Sequence, residues 1–522
     1  MLNRTARREP REPRGLPTLP SAAGPWTVGL AGTAAAVAVG ALLGVAILLA
    51  GPVPVLLGLA GILVALSAFR YPETLIVLVL ALASQLIPSR FNFFVDLVVG
   101  RFQVSDLLLY WLLTVTVLRA IMERGFRFRK TPLDVPMALF YATVLGGLAT
   151  AVMGFGVNFG NATYEARTLA TYLVFFPITN LVRTRAQVVR LAMGTMAVAV
   201  LMAASMLLQS AVQPAFLADD WVIEGTGILR NFHPGFSTVF VGLRIVAGIM
   251  AMRRSGPAPG SSERRWPQWV AMLLLVTALL STLARNLLVA GFISFGLLGI
   301  LLQGQERRTL ARKMLGLAVG LSVLLVVLAL VSNAPPVARY ATAYADRIER
   351  MFSSEILSRE ENLFSRWEEM QFAFARLQEH PVLGIGLYNP YRPAFHEAEE
   401  VTLKHFIHNA YLGLWLKTGL LGLGSFLWFS AAFLRHGFRR WRRVPGPLLR
   451  GTALGSLVAY VGLMFANFVA PSFIQPGSLA IMGVVLGLTV SILLLEETPP
   501  PTPPLKGRGG GNNQENLEGE SV

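Results

Sequence analysis

The residues best suited to chemistry lie in one polar stretch, from about Ser332 to Ile407, and at the start of the apolar run after it. His408-Asn409 stands where that stretch gives way to Ala410–Leu434. A histidine at a helix start sits among N–H groups that lack a helical acceptor and at the positive end of the helix dipole. That field, and nearby arginines, favour the neutral imidazole that can act as a base. The plainer reading is a polar residue at a membrane boundary. His405 competes three residues earlier, whereas His396 has less claim among Glu397, Glu399 and Glu400. Asn409 is a candidate substrate contact beside the base.

Arginines supply the second half of the chemistry. A guanidinium binds phosphate through paired N–H groups and stays charged at any working pH. Arg366 and Arg376 lie in the polar stretch, just before His380-Pro381-Val382-Leu383-Gly384-Ile385-Gly386. Either could be a ligand or simply solvated. Arg285 sits near the middle of the apolar segment Trp269–Leu302, which is about twice one span and folds best as a hairpin with Arg285 at its outer turn. It is a site residue or a snorkelling anchor. Arg230 precedes Asn231-Phe232-His233-Pro234 at the outer end of another span, as an interfacial anchor or a phosphate ligand. Asp219-Asp220 reads as solvated loop charge rather than a metal site, and with arginines to neutralise phosphate no metal or cofactor is expected.

The elements that position these residues are membrane helices. The chain has 522 residues, of which 54% are hydrophobic and 14% charged. Soluble domains carry about 25% charged residues. Apolar runs long enough to span a bilayer recur along it. We count about fourteen: 27–49, 52–69, 73–88, 102–122, 134–155, 165–182, 188–212, 234–252, 266–283, 286–303, 314–332, 408–434, 448–469 and 477–495. The expected fold is all-α, a polytopic membrane helix bundle with one large helical outer loop. Its expected parts are a cytoplasmic tail (1–26), a transmembrane bundle (27–332), the outer loop (333–407), C-terminal transmembrane helices (408–495) and a disordered cytoplasmic tail (496–522). In the loop, Leu363, Trp367, Met370, Phe374 and Leu377 make one apolar helical stripe.

The net charge of +16 invites a nucleic-acid reading, but its distribution argues against one. About two thirds of the 45 Lys and Arg residues fall in alternate segments, such as Arg119–Lys130, Arg253–Arg265, Arg307–Lys313 and Arg435–Arg450. That is the positive-inside pattern, with both termini cytoplasmic. The rest, among them Arg167, Arg244, Arg392 and Lys417, need another reason. Lys417 either lines a cavity or pairs with an acid. There is no cysteine, so disulfides play no part.

At these residues the chain resembles the O-antigen ligase and O-antigen polymerase superfamily of bacterial membrane glycosyltransferases. The likeness is carried by Arg366 followed by His380-Pro381-x-x-Gly384-x-Gly386, by His408-Asn409-x-Tyr411-Leu412, and by Gly419-Leu420-Leu421-Gly422. Supporting matches are Arg230 with Asn231-x-His233-Pro234, and Ser281-Thr282-Leu283-Ala284-Arg285. The resemblance implies an inner-membrane enzyme with its site facing outward. Such an enzyme takes a glycan from an undecaprenyl-diphosphate carrier and joins it to a glycan, lipid or protein acceptor. It implies that Arg285, Arg230 and Arg366 hold the diphosphate and that His408 activates the acceptor hydroxyl. Ligase and polymerase stay equally open. The alternative is a multi-pass transporter of an anionic or lipid-linked substrate, although such proteins more often show repeated halves and helices broken near the midplane.

Overall fold

The structure, a computed structural model, describes residues 52–87, 94–97, 100–212, 233–253, 266–282, 284–331, 361–393 and 404–495. Arg230, Asp219-Asp220, His396, the expected span 27–49 and both expected tails lie outside the described residues.

The chain divides after Leu66, and the described element that begins in the first unit is the apolar helix α1 (Pro52–Arg70). In the second unit come α2 (Pro72–Ala83) and a short antiparallel hairpin of β1 (Phe94–Leu97) and β2 (Gly100–Gln103), with Phe94 paired to Gln103. There follow α3 (Val104–Met122), α4 (Asp134–Ala149, extended by a π turn over Thr150–Gly154), α5 (Phe159–Ala170), α6 (Phe175–Leu181) and α7 (Arg185–Val212). Next are α8 (Phe236–Met252), α9 (Trp266–Ser281), α10 (Arg285–Leu301) and α11 (Gly304–Val331). Last are α12 (Glu361–Glu379), α13 (Ala410–Arg440), α14 (Pro447–Ala466) and α15 (Leu479–Leu494).

The expected runs and the helices largely coincide, and the protein is a multi-pass membrane helix bundle. The count differs. Among the described residues five helices are long and apolar enough to cross a membrane: α3, α4 with its π turn, α7, α13 and α14. Others, including α2, α8, α9, α10 and α15, are apolar but shorter. The expected span 73–88 stops early, because the helix ends at Ala83 and Gln85 takes a left-handed φ of 59°. The expected span 165–182 is α5, a 3₁₀ turn at Thr171–Val174 and α6, and it begins at Phe159.

Nearly every residue of α8 is buried, as an all-round apolar helix requires. It packs closest on α14, where a Cβ on Gly248 would stand 2.4 Å from Gly451 O. Small residues let two backbones approach this closely inside a bundle.

Contacts between helix ends define the two ends of the bundle. At one end Arg442 Nη2 donates to Leu301 O at 2.8 Å, Arg190 pairs with Glu73 at 2.7 Å, and Arg183 Nη2 donates to Arg127 O at 2.8 Å. We call this the basic end. At the other, Ser84 Oγ meets Thr238 Oγ1 at 3.0 Å, Ser237 Oγ meets Ser478 Oγ at 2.9 Å, and Ala410 N donates to Asn467 O at 3.0 Å. His408 lies there, at the loop end.

Candidate functional site

The site is built on a broken helix. α13 is interrupted at Gly419, whose φ of 72° and ψ of −178° are open to glycine alone without strain. From Leu420 to Arg440 the helix still runs about 31 Å, enough for a hydrocarbon core of about 30 Å. Ala410–Thr418 therefore stands at the loop end. The break releases backbone groups that must find partners, and the turn after α12 supplies them. Ile385 N donates to Leu416 O at 2.7 Å, and Leu420 N donates to Val382 O at 3.0 Å. Trp415 Nε1 donates to Pro381 O at 2.7 Å. Gly384 has φ 70°, and a Cβ there would stand 2.3 Å from Leu416 O. The His380–Gly386 segment thus closes the broken helix with its own backbone.

His408 immediately precedes this helix. Its Nδ1 lies 2.9 Å from Glu369 Oε2, and its backbone N–H donates to the same oxygen at 3.2 Å. A carboxylate can only accept, so Nδ1 carries a hydrogen, and in the neutral ring the lone pair lies on Nε2. The other oxygen of Glu369 faces Arg392 Nη2 at 3.8 Å. Glu369 and Arg392 are 4% and 7% exposed, whereas the His408 side chain keeps 35% of its surface. A buried carboxylate held by a buried cation therefore orients a histidine that still reaches solvent.

Glu369 was not among the residues singled out in the sequence, and Arg392 stood there only as a basic residue that topology does not explain. The signal was present but rotated. The buried arc of α12 holds Glu369, Ala373 and Leu377, while Trp367 is 57% and Phe374 45% exposed. Leu377 and Ala373 join Ile385, Tyr391, Ile407, Leu412 and Leu416 in one apolar cluster, which docks α12 and its turn against α13. An acid one helical turn before Ala373, on the docking arc, was the clue.

The expected site residues fall in different places. Asn409 caps α13, and its Oδ1 accepts from Tyr411 N at 3.0 Å and Leu412 N at 3.1 Å. Only its amide hydrogens remain for a substrate. Arg376 pairs with Glu379 at 2.9 Å on the exposed side of α12. Arg366 is half-buried on the same helix, three residues before Glu369. Arg285 is the first residue of α10 and half-buried, at the hairpin turn expected for it. Gly462 of α14 lies against Ala290 of α10, which brings Arg285 to the level of Asn467, the acceptor of Ala410 N. Arg285 and His408 therefore share the loop end. Arg230 lies outside the described residues, and three residues on His233 is buried with Nδ1 accepting Gly235 N at 3.0 Å.

The basic residues that topology left unexplained now find partners. Lys417 pairs with Glu165 of α5, both buried, and Glu165 Oε2 also accepts Tyr388 N. This ties α5, α13 and the turn together. Arg167 pairs with Asp106 at 3.0 Å, and Arg244 donates to Ser294 Oγ at 2.9 Å beneath the Phe240 ring. His405 stacks on Tyr388 with centroids 3.8 Å apart, and burial pushes its pKa down to about 4. It stays neutral, but its role is packing under the loop.

Residues 270–427 match the O-antigen ligase family. This segment belongs to that family. The O-antigen ligase segment opens in α9 and holds Arg285, all of α12 with Glu369, the His380–Gly386 turn, His408 and the break at Gly419. It ends inside α13, soon after the turn that the loop closes. No curated protein matches the chain.

Proposed function

We propose that this protein is a glycosyltransferase that moves a glycan from an undecaprenyl-diphosphate carrier to an acceptor hydroxyl. The acceptor belongs to a glycan, a lipid or a protein, and the family description favours ligation over polymerisation. The observation that carries the reading is the buried Glu369 carboxylate bound to both Nδ1 and the backbone N–H of His408.

In this mechanism His408 Nε2 takes the proton of the acceptor hydroxyl. The acceptor oxygen bonds to the anomeric carbon as the bond from that carbon to the diphosphate oxygen breaks, and undecaprenyl diphosphate leaves with the electron pair. Arg285, Arg230 and Arg366 neutralise that leaving group, with paired N–H donors suited to phosphate oxygens. Arg376, committed to Glu379, is the weakest of the candidate ligands. The amide hydrogens of Asn409 meet an acceptor oxygen. With the basic end cytoplasmic, as the positive-inside rule requires, the site faces outward, where the carrier presents its glycan.

The test is transfer by purified protein. Carrier-linked glycan and acceptor in detergent should give a new glycosidic product and free undecaprenyl diphosphate. A transporter would move the carrier-linked glycan across a vesicle membrane without forming either, and that outcome would replace this reading.

A further inference from the structure

At the basic end, opposite His408, the bundle holds a cavity of about 480 Å³. Glycan transfer as proposed above makes no use of it. It opens between the end of α8, the α10–α11 turn and the turn leading from α13 into α14. Gln303, Glu306, Thr309, Trp441, Arg442 and Arg450 line it. Of these, Thr309 and Trp441 are each 2% exposed. Arg442 Nη2 donates to Leu301 O at 2.8 Å, and Arg450 Nε donates to Val444 O at 2.9 Å. Each guanidinium carries five N–H donors, so these anchors fix both groups and leave donors for an anion. Glu306 offsets one of the two charges, and the cavity stays net positive.

The surroundings identify what kind of anion. On α10, whose C-terminal end meets the cavity mouth, Ile300 is 75% exposed. Apolar side chains exposed on bundle helices face lipid acyl chains, and helix ends lie at headgroup level. A basic pocket flanked by an apolar, lipid-facing helix end suits a molecule with a phosphate head and hydrocarbon tails. We propose that this cavity binds the phosphodiester headgroup of an anionic phospholipid, with the acyl chains along α10. The proposal stands apart from the glycan reaction.

The experiment uses the purified, delipidated full chain, titrated with phosphatidylglycerol, phosphatidylcholine or inorganic phosphate. Native mass spectrometry reads retention and thermal denaturation reads Tm. Phosphatidylglycerol should be retained and should raise Tm, and the other two should do neither. A basic residue near anionic lipid contributes about 1 kcal/mol, or about fivefold in affinity. Arg442→Gln with Arg450→Gln should therefore weaken phosphatidylglycerol binding by about thirtyfold. Arg435→Gln with Arg439→Gln removes the same charge from exposed positions at the same end and should leave binding unchanged. If the first double variant does not fold, Arg442→Gln alone, at an exposed residue, should still cost about fivefold. Equal binding of phosphatidylcholine, or equal loss in the control pair, would overturn the proposal. So would an equal Tm rise with inorganic phosphate, which would make the cavity a soluble-anion site.

Discussion

Replacing Glu369 by glutamine should slow turnover while leaving carrier binding nearly intact. The carboxylate accepts from His408 Nδ1 at 2.9 Å and His408 N at 3.2 Å, and it faces the Arg392 cation at 3.8 Å. Glutamine keeps the shape but has one acceptor and one donor. With its oxygen toward His408, its NH₂ faces the Arg392 donors. With the amide turned over, NH₂ meets the His408 backbone N–H and Nδ1 must become an acceptor, which moves the imidazole hydrogen onto Nε2. Either way one contact becomes donor against donor. A hydrogen bond to a charged group contributes about 1.5–3 kcal/mol, so kcat should fall by roughly 10- to 150-fold. KM for the carrier should change little, because in the proposed mechanism the carrier is held by arginines. Glu369→Ala should also lose folded protein, since it removes a buried carboxylate from beside the buried Arg392 cation, a loss of about 3–5 kcal/mol. The assay is single-turnover transfer of labelled glycan by purified protein, with carrier binding measured separately. A Glu369→Gln variant with wild-type kcat would refute the orienting role, and one with wild-type kcat but raised KM would make Glu369 a binding residue.

Three further outcomes follow from the same contacts. Gly419→Ala should lower the folded yield and Tm, since a non-glycine residue in such a backbone region costs about 1–3 kcal/mol and its Cβ would fall 1.9 Å from Val382 O; a fully stable variant would mean that the break is not held as described. Lys417→Met or Glu165→Leu alone should each cost about 3–5 kcal/mol by leaving one buried charge, while the double variant should recover much of that loss; equal Tm for the singles and wild type would contradict the pairing. His405, with its native pKa near 4 against about 6.5 unfolded, binds fewer protons native than unfolded across that interval. Stability should therefore be full above about pH 6.5 and be lost as pH falls toward 4; His405→Phe should flatten that part of a Tm-against-pH curve, and an unchanged slope would count against a half-buried, neutral His405.

Much of the bundle was legible because membrane helices announce themselves in composition. The runs at 102–122 and 448–469 became Val104–Met122 and Pro447–Ala466 almost unchanged. The hairpin at Arg285 and the helix start after His408 followed from where polar residues interrupt apolar ones. What composition could not give was rotation and long-range pairing. The stripe on α12 was read from apolar residues, yet Trp367 and Phe374 lie exposed and Glu369 lies buried. An aromatic belongs as well at a membrane interface as in a core. Glu369 is buried because His408 and Arg392, both distant in sequence, supply its partners. Lys417 likewise meets Glu165 across 252 positions of chain, a separation no local pattern encodes. The break at Gly419 was visible as a motif, but its reason was not: the His380–Gly386 turn docks its backbone into it.

The most direct test of the account is the rate of the chemical step in His408→Ala with carrier bound. General-base catalysis is typically worth about 10²–10⁴-fold. Single-turnover transfer at saturating carrier-linked glycan should fall by that factor, while carrier affinity and Tm stay close to wild type. Transfer at the wild-type rate by a folded His408→Ala protein would contradict the account, and so would a loss that lay wholly in carrier affinity.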